Sequence, residues 1–280
     1  MSRRSVAALS LLLATGLPPR AGAQWLEMHK DRYSVFYKSG FERDAAFVSR
    51  WADRAEQLMR DKYGVTQRHY RLSIYLDDVP TPQVDVNNAR IKCCSKGSDT
   101  VKVGSIEMLA PSADAFKSVT AVSSLGLPKN DPSYHAKILM SEYIPTGHYE
   151  AQDSRPGGGW KYYGAPNWFV QGLQQYDAIL HTTDRNRDTT AGRLSAWAAS
   201  HASAFTCCSP ELSIADDYNG GAAFMAVLAW QFGENVHARI LRDTSATFFG
   251  ALTAQTKPYS RAELFARLQQ WLRDGAPLQR

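Results

Sequence analysis

The sequence predicts an α+β fold, a small N-terminal sheet with one helix followed by a mainly helical lobe. Three observations carry this. Residues 24–110 hold short alternating segments around one long amphipathic stretch. After Pro132 the strand signals stop and apolar residues recur at three- and four-residue steps. No internal repeat, low-complexity tract or composition break divides residues 24–280, which predicts a single domain, strand-rich over 24–110 and helical over 132–275.

Trp25 to Tyr37 alternates and is rich in aromatics, and Tyr33-Ser34-Val35-Phe36-Tyr37 reads as a strand. From Arg43 to Tyr63 the residues Phe47, Val48, Trp51, Ala55, Leu58 and Met59 fall on one helix face, and Gly64 supplies a C-terminal cap. Leu72, Ile74 and Leu76 alternate with Arg71, Ser73 and Tyr75 as a half-buried strand. The Pro/Asp/Asn-rich run from Asp77 to Asn88 is a loop, Val101–Leu109 another strand, and residues 112–131 are weakly patterned. Helices are expected over Tyr134–Tyr143, Pro166–Leu180, Thr190–Ser200, Gly220–Phe232 and Ser260–Arg273. The last opens on a capping box, Ser260-Arg261-Ala262-Glu263.

The first 23 residues have the three parts of a cleavable secretory leader. Met1-Ser2-Arg3-Arg4 is a positive start, Val6–Leu17 is a short apolar stretch, and Ala21-Gly22-Ala23 is a small-x-small end. The apolar stretch is too short for a membrane span, which needs about 20 residues, and Pro18-Pro19 break it. Losing Arg3, Arg4 and Arg20 with the leader takes the formal charge from +5 to +2. So small an excess gives no argument for nucleic acid or an acidic membrane surface. A secreted or periplasmic protein without a membrane span is expected.

Four cysteines form two adjacent pairs, Cys93-Cys94 and Cys207-Cys208. In an oxidising compartment an even count suggests disulfides, and cross-links between the two pairs are favoured over strained rings within a pair. A four-Cys zinc site lacks the spacer that zinc knuckles place between their thiolates.

Two helices carry the pattern that bears on chemistry. The first reads Ile138-Leu139-Met140-Ser141-Glu142-Tyr143-Ile144-Pro145, and the second Ala165-Pro166-Asn167-Trp168-Phe169-Val170-Gln171-Gly172-Leu173-Gln174-Gln175-Tyr176. With the strand–helix–strand start, the chain resembles the gluzincin (peptidase-MA-like) zinc metallopeptidases over most of residues 33–272. That family has a helix ending in His-Glu-x-x-His, then a helix reading roughly Pro-x-Trp-x-x-Glu-Gly-x-Ala-x-Tyr. Two His four apart lie on one helix face and hold zinc, the Glu between them activates water, and the later Glu is the third ligand. Pro166, Trp168, Gly172 and Tyr176 fall on the second motif. Tyr218–Gly233 is similar to a later element of the family.

The resemblance departs at the metal ligands. Ser141 and Pro145 stand where the family has His, and Gln171 where it has Glu; only Glu142 survives. A hydroxyl, a proline ring and a neutral amide do not make a catalytic zinc site, so no zinc cofactor is expected. Pro145 and Gly147 are expected to end the first helix, leaving His148-Tyr149-Glu150 on a loop that could fold back toward Glu142. Glu142 itself has two readings: a buried acid paired with a Lys or Arg, or a cleft acid of raised pKa doing acid–base work. In the second, Tyr149, Tyr218 and Gln171 would orient a substrate. Trp160, Tyr162, Tyr163 and Trp168 could line a ligand cleft with Ser141, Gln171 and His148, although core packing is the usual fate of such aromatics.

The expectation is an exported, peptidase-like pseudoenzyme that binds a peptide, glycan or small molecule without zinc. Its rivals are a metal-free enzyme using Glu142 and a metallopeptidase with relocated ligands.

Overall fold

A computed structural model of the chain describes residues 24–66, 70–80, 90–96, 102–153, 157–182, 184–206 and 213–276. The leader, Cys207 and Cys208 lie outside the described residues, as do the side chains of Cys93, Cys94 and Tyr163.

The architecture is α+β. Five strands form one sheet: β1 (Trp25–His29), β2 (Tyr33–Lys38), β3 (Tyr70–Asp77), β4 (Arg90–Lys96) and β5 (Lys102–Leu109), in the order β1-β2-β3-β5-β4. The pairs β2–β3 and β3–β5 are parallel, and the outer strands β1 and β4 run antiparallel to their neighbours. A parallel pair needs a crossover, and helix α1 (Glu42–Tyr63) supplies it between β2 and β3.

Alternation along β3 decides how the sheet is covered. Leu72, Ile74 and Leu76 are buried on the face that meets the helices, while Arg71, Ser73 and Tyr75 point the other way and are half-buried. On that outer face Tyr75 stacks on Phe36, ring centroids 4.9 Å apart, with Trp25 edge-on at 5.8 Å. Helix α1 ends where Gly64, at φ 60°, lets its own N–H reach Arg60 O and the Val65 N–H reach Met59 O.

The helical lobe follows a one-turn helix α2 (Asp114–Lys117). It contains α3 (Pro132–Asp153), α4 (Asn167–His181), α5 (Asp184–Ser200), α6 (Asn219–Phe232), α7 (Val236–Arg242), α8 (Phe248–Gln255) and α9 (Arg261–Arg273). A two-stranded ribbon, β6 (Phe205–Thr206) with β7 (Ser213–Ile214), links α5 to α6. The α9 capping box forms in full. Ser260 Oγ accepts from the Glu263 N–H at 3.3 Å, and the Glu263 carboxylate accepts from the Ser260 N–H at 2.6 Å.

Helix α3 differs most from expectation. It does not stop at Pro145 but runs on through Gly147 to Asp153. Pro145 has no N–H to give the Ser141 carbonyl, and an interior proline costs about 3 kcal/mol. Burial offsets that cost, because Tyr143, Ile144, Pro145, Thr146, Gly147 and His148 are all buried. Gly147 is a close approach rather than a breaker: a Cβ there would lie 1.9 Å from Met59 Sδ on α1.

The tightest packing in the lobe is between α4 and α6. A Cβ on Gly172 would lie 2.3 Å from the Gly221 carbonyl carbon, and one on Gly221 would lie 2.1 Å from Trp168 O. Both obstacles are backbone, which cannot swing aside as a side chain can. Gly221→Ala is therefore expected to force the helices apart and destabilise the fold by about 1–3 kcal/mol or more, read as a lower urea midpoint. A midpoint equal to that of the parent would show that the crossing is not close-packed.

Candidate functional site

The phase of α3 organises the site. Residues four apart share a face, so Lys137, Ser141 and Pro145 form one stripe, which His148 continues. All four residues are buried. Glu142 sits about 100° round the helix from Ser141, at the margin of this stripe, and is half-buried.

Among the described residues the Glu142 carboxylate makes no hydrogen bond, and no ammonium or guanidinium lies within 4 Å of it. Burial pushes its pKa up to about 7, against the opposing pull of the Lys137 ammonium. Lys137 is shifted the other way. Burial takes its pKa down to about 8, with Glu142 opposing and Lys129 adding to the fall. Tyr218, just ahead of α6, is half-exposed, and its phenol is raised first by burial and then by the charge of Glu142. Glu142 thus lies within electrostatic reach of both Lys137 and Tyr218.

Gln171 is half-buried, one turn before Gln175 on the same face of α4. Gln175 Nε2 donates to Asn219 Oδ1 at 3.2 Å, and Asn219 Nδ2 donates to Ser124 Oγ at 2.8 Å. Asn219 follows Tyr218 in the chain, so this relay ties α4, the start of α6 and the 118–131 segment together next to Tyr218. Asp216 Oδ1 accepts from the Asn219 N–H at 2.6 Å and holds the turn.

Other residues singled out from the sequence lie elsewhere. His148 is on no loop. It is fully buried within α3, where Nδ1 pairs with the Tyr162 hydroxyl at 2.9 Å and Nε2 with Asp177 at 3.2 Å. Glu150 accepts from the Tyr70 N–H at 2.9 Å and does not fold back toward Glu142. Trp168 is core rather than cleft wall, edge-on to Phe224 at 5.3 Å and Phe248 at 5.6 Å. Tyr149 stands two turns from Glu142, about 10 Å along the axis, between the rings of Tyr70 and Tyr162. For His148, Tyr149 and Glu150 the common reason is that α3 stays helical beyond Pro145 and turns these side chains against neighbouring elements.

That interior holds a charged hub which the sequence reading passed over. Asp177 on α4 is fully buried and receives the Lys62 ammonium at 2.7 Å, the Tyr63 hydroxyl and the His148 ring. Burial alone would raise its carboxyl, but Lys62 and His148 hold it well below the usual carboxylate range. Burial pushes His148 the other way, toward the neutral form, in which Nε2–H donates to Asp177 and Nδ1 accepts from Tyr162. A signal for Asp177 existed in the sequence, an acid among apolar residues six positions after Gln171. Lys137 had one too, a cation one turn before Ser141 on an apolar helix.

The zinc that the gluzincin resemblance implies does not fit these residues. Ser141 offers a buried hydroxyl, Pro145 no donor atom and Gln171 a neutral amide, while both His148 ring nitrogens are occupied. Among the described residues no group of three or more His, Cys, Asp or Glu is arranged to hold a metal. No protein-family model matches the chain, and no curated protein sequence matches it.

Two outcomes follow from the charges. Because the folded-state pKa of Glu142 is raised to about 7, its stabilising contribution is complete below the unfolded value of 4.5 and is lost as pH rises through 7. Glu142→Gln should match the parent near pH 4.5 and exceed it at pH 8 by roughly 3 kcal/mol, measured by urea unfolding at both pH values; an equal difference at the two would refute the raised titration. Asp177 has the opposite sign. Its folded pKa is depressed, so its contribution is present above the normal carboxylate range and fades as pH falls toward the folded value. Asp177→Asn should cost about 3–5 kcal/mol at pH 7, because Lys62 loses its buried partner, and the deficit should shrink in acid.

Proposed function

We propose that this protein is an exported, peptidase-like ligand-binding protein whose cleft is centred on Glu142 and works without zinc. Export rests on the leader pattern of residues 1–23, and no described helix is long and apolar enough to cross a membrane. The cleft reading rests on one observation. Glu142 keeps its place on an intact helix without a hydrogen bond among the described residues, while Ser141, Pro145 and Gln171 supply no zinc donor set. The gluzincin relationship is part of the proposal. The mixed sheet, with its antiparallel edge strand β4, and the helix pair α3 and α4 agree with it, although fold alone does not fix function.

One observation favours a second reading, acid–base catalysis without metal. A carboxyl that titrates near 7 beside a half-exposed phenol is matched to proton transfer at neutral pH. Glu142 would hold and deliver the proton, and the Tyr218 hydroxyl would orient the ligand.

Metal analysis of the purified mature protein, expressed with added zinc, separates these readings from a metallopeptidase. Far less than one zinc per chain is expected; stoichiometric zinc that disappears on replacing His148 would overturn the metal-free cleft. Any turnover then discriminates between binding and catalysis. Glu142→Gln should fold and abolish it if Glu142 carries the proton, whereas full activity in that variant removes Glu142 from the chemistry.

A further inference from the structure

We propose that Lys137 is the ligand-binding cation of this cleft and that its ammonium takes a carboxylate joined to an apolar group. The inference rests on the cleft reading above and names the ligand class that the cleft accepts.

The first support is a contrast within the molecule. Two lysines on neighbouring helices are almost wholly buried. Lys62 on α1 has its carboxylates in place, Asp177 at 2.7 Å and Glu234 at 3.5 Å. Lys137 on α3 is only 7 % exposed, yet among the described residues its ammonium makes no hydrogen bond and no ion pair within 4 Å. Its nearest noted partner is the face of Tyr134, 5.3 Å from the ring centroid. Removing an ammonium from water without a counter-charge is costly, and buried lysines are normally paired. An anion arriving from outside would complete the pair.

Position is the second support. Lys137 lies one helical turn before Ser141 on the same face of α3, so it belongs to the stripe that borders Glu142. Glu142 in turn acts on the phenol of Tyr218, a half-exposed ring just ahead of α6. A ligand beside Glu142 would find one cation, and in Tyr218 both a phenolic donor and exposed apolar ring surface.

Charge count selects the class. The acid that acts on Lys137 is Glu142, itself half-buried, and a second cation, Lys129, acts on the same ammonium. With Lys137, Lys129 and Glu142 all ionised, two cations and one carboxylate leave one net positive charge, which balances a single negative charge. A dianion such as phosphate would leave charge uncompensated in a partly buried site.

The test uses the full mature protein and matched probes in titration calorimetry: phenylacetate against phenylacetamide, and the dipeptide acetyl-Ala-Phe as free acid against its C-terminal amide. The acids are expected to bind at least tenfold more tightly than the amides, with the stronger acid showing whether a free small acid or a peptide C-terminus is the better fit. Lys137→Met should lose at least tenfold of that binding and Lys137→Arg should recover part of it. Without ligand, Lys137→Met should melt at or above the parent temperature, because it deletes an unpaired charge. Amides that match the acids, no acid binding at all, tighter binding of inorganic phosphate, or unchanged binding by Lys137→Met would each overturn the proposal. So would a large fall in melting temperature for Lys137→Met, which would make the lysine structural. Stoichiometric zinc would instead strike the cleft reading itself, so the two failures are distinguishable.

Discussion

The carboxylate of Asp177 is the constraint on which the lobe depends. It is fully buried, and it gathers Lys62 and Tyr63 from α1 and His148 from α3 onto α4. A buried carboxylate is tolerable only when its lone pairs are filled, and here three donors from two other helices fill them. The same contacts fix the rotation of α3 about its axis. With His148 turned inward, Ser141 and Lys137 on the same stripe are turned inward too, and Glu142 is left at the margin. A site residue is thus positioned by a bond made two turns away from it.

The contrast between the two charged groups of the interior is physical rather than decorative. At the Asp177 hub, attraction and hydrogen bonding exceed the desolvation that opposes them, so the acid stays ionised. At Glu142 and Lys137 desolvation dominates, and each group moves toward its neutral form. The first arrangement ties helices together. The second stores an unfavourable state that costs stability near neutral pH and has no structural return among the described residues. Poorly compensated charged groups close together on one helix are the observation on which the proposed ligand site rests.

Much of the frame could be read from the chain. Phe47, Val48, Trp51, Ala55 and Leu58 announce α1 because a helix with one buried face must repeat at 3.6 residues, and Leu72, Ile74 and Leu76 announce β3 for the corresponding reason at period two. Strand β4 had no such signature, since Arg-Ile-Lys-Cys-Cys-Ser-Lys at a sheet edge does not alternate. The second half of α3 was lost to local rules. Proline and glycine break isolated helices, but here the Met59 side chain packs directly on Gly147, and tertiary burial overrides propensity. The short elements α7, α8, β6 and β7 are too brief to show a period. In the site, Glu142, Ser141 and Gln171 were visible because a motif surrounds them. Asp177, Lys137 and Asn219 were not, because their meaning lies in partners 29 or more residues away or in the lack of a contacting one.

The helix pair α3 and α4 is held without a set of metal ligands among the described residues. In a zinc site the ion cross-links two helices and supplies a positive charge at the cleft. Here the cross-link is carried without metal: Asp177 joins α3 and α4 to α1, and the glycine crossing of Gly172 with Gly221 locks α4 to α6. These described helices are thus cross-linked by their own side chains and backbone. The positive charge has a protein source as well, the Lys137 ammonium one turn from Ser141. On the proposed reading, Glu142 faces a monovalent cation rather than a divalent Lewis acid. Such a cation orients an anion, but it does not lower the pKa of a bound water as a divalent ion does. The chemistry that this reading implies is recognition, with at most the transfer of the one proton that Glu142 can hold near pH 7.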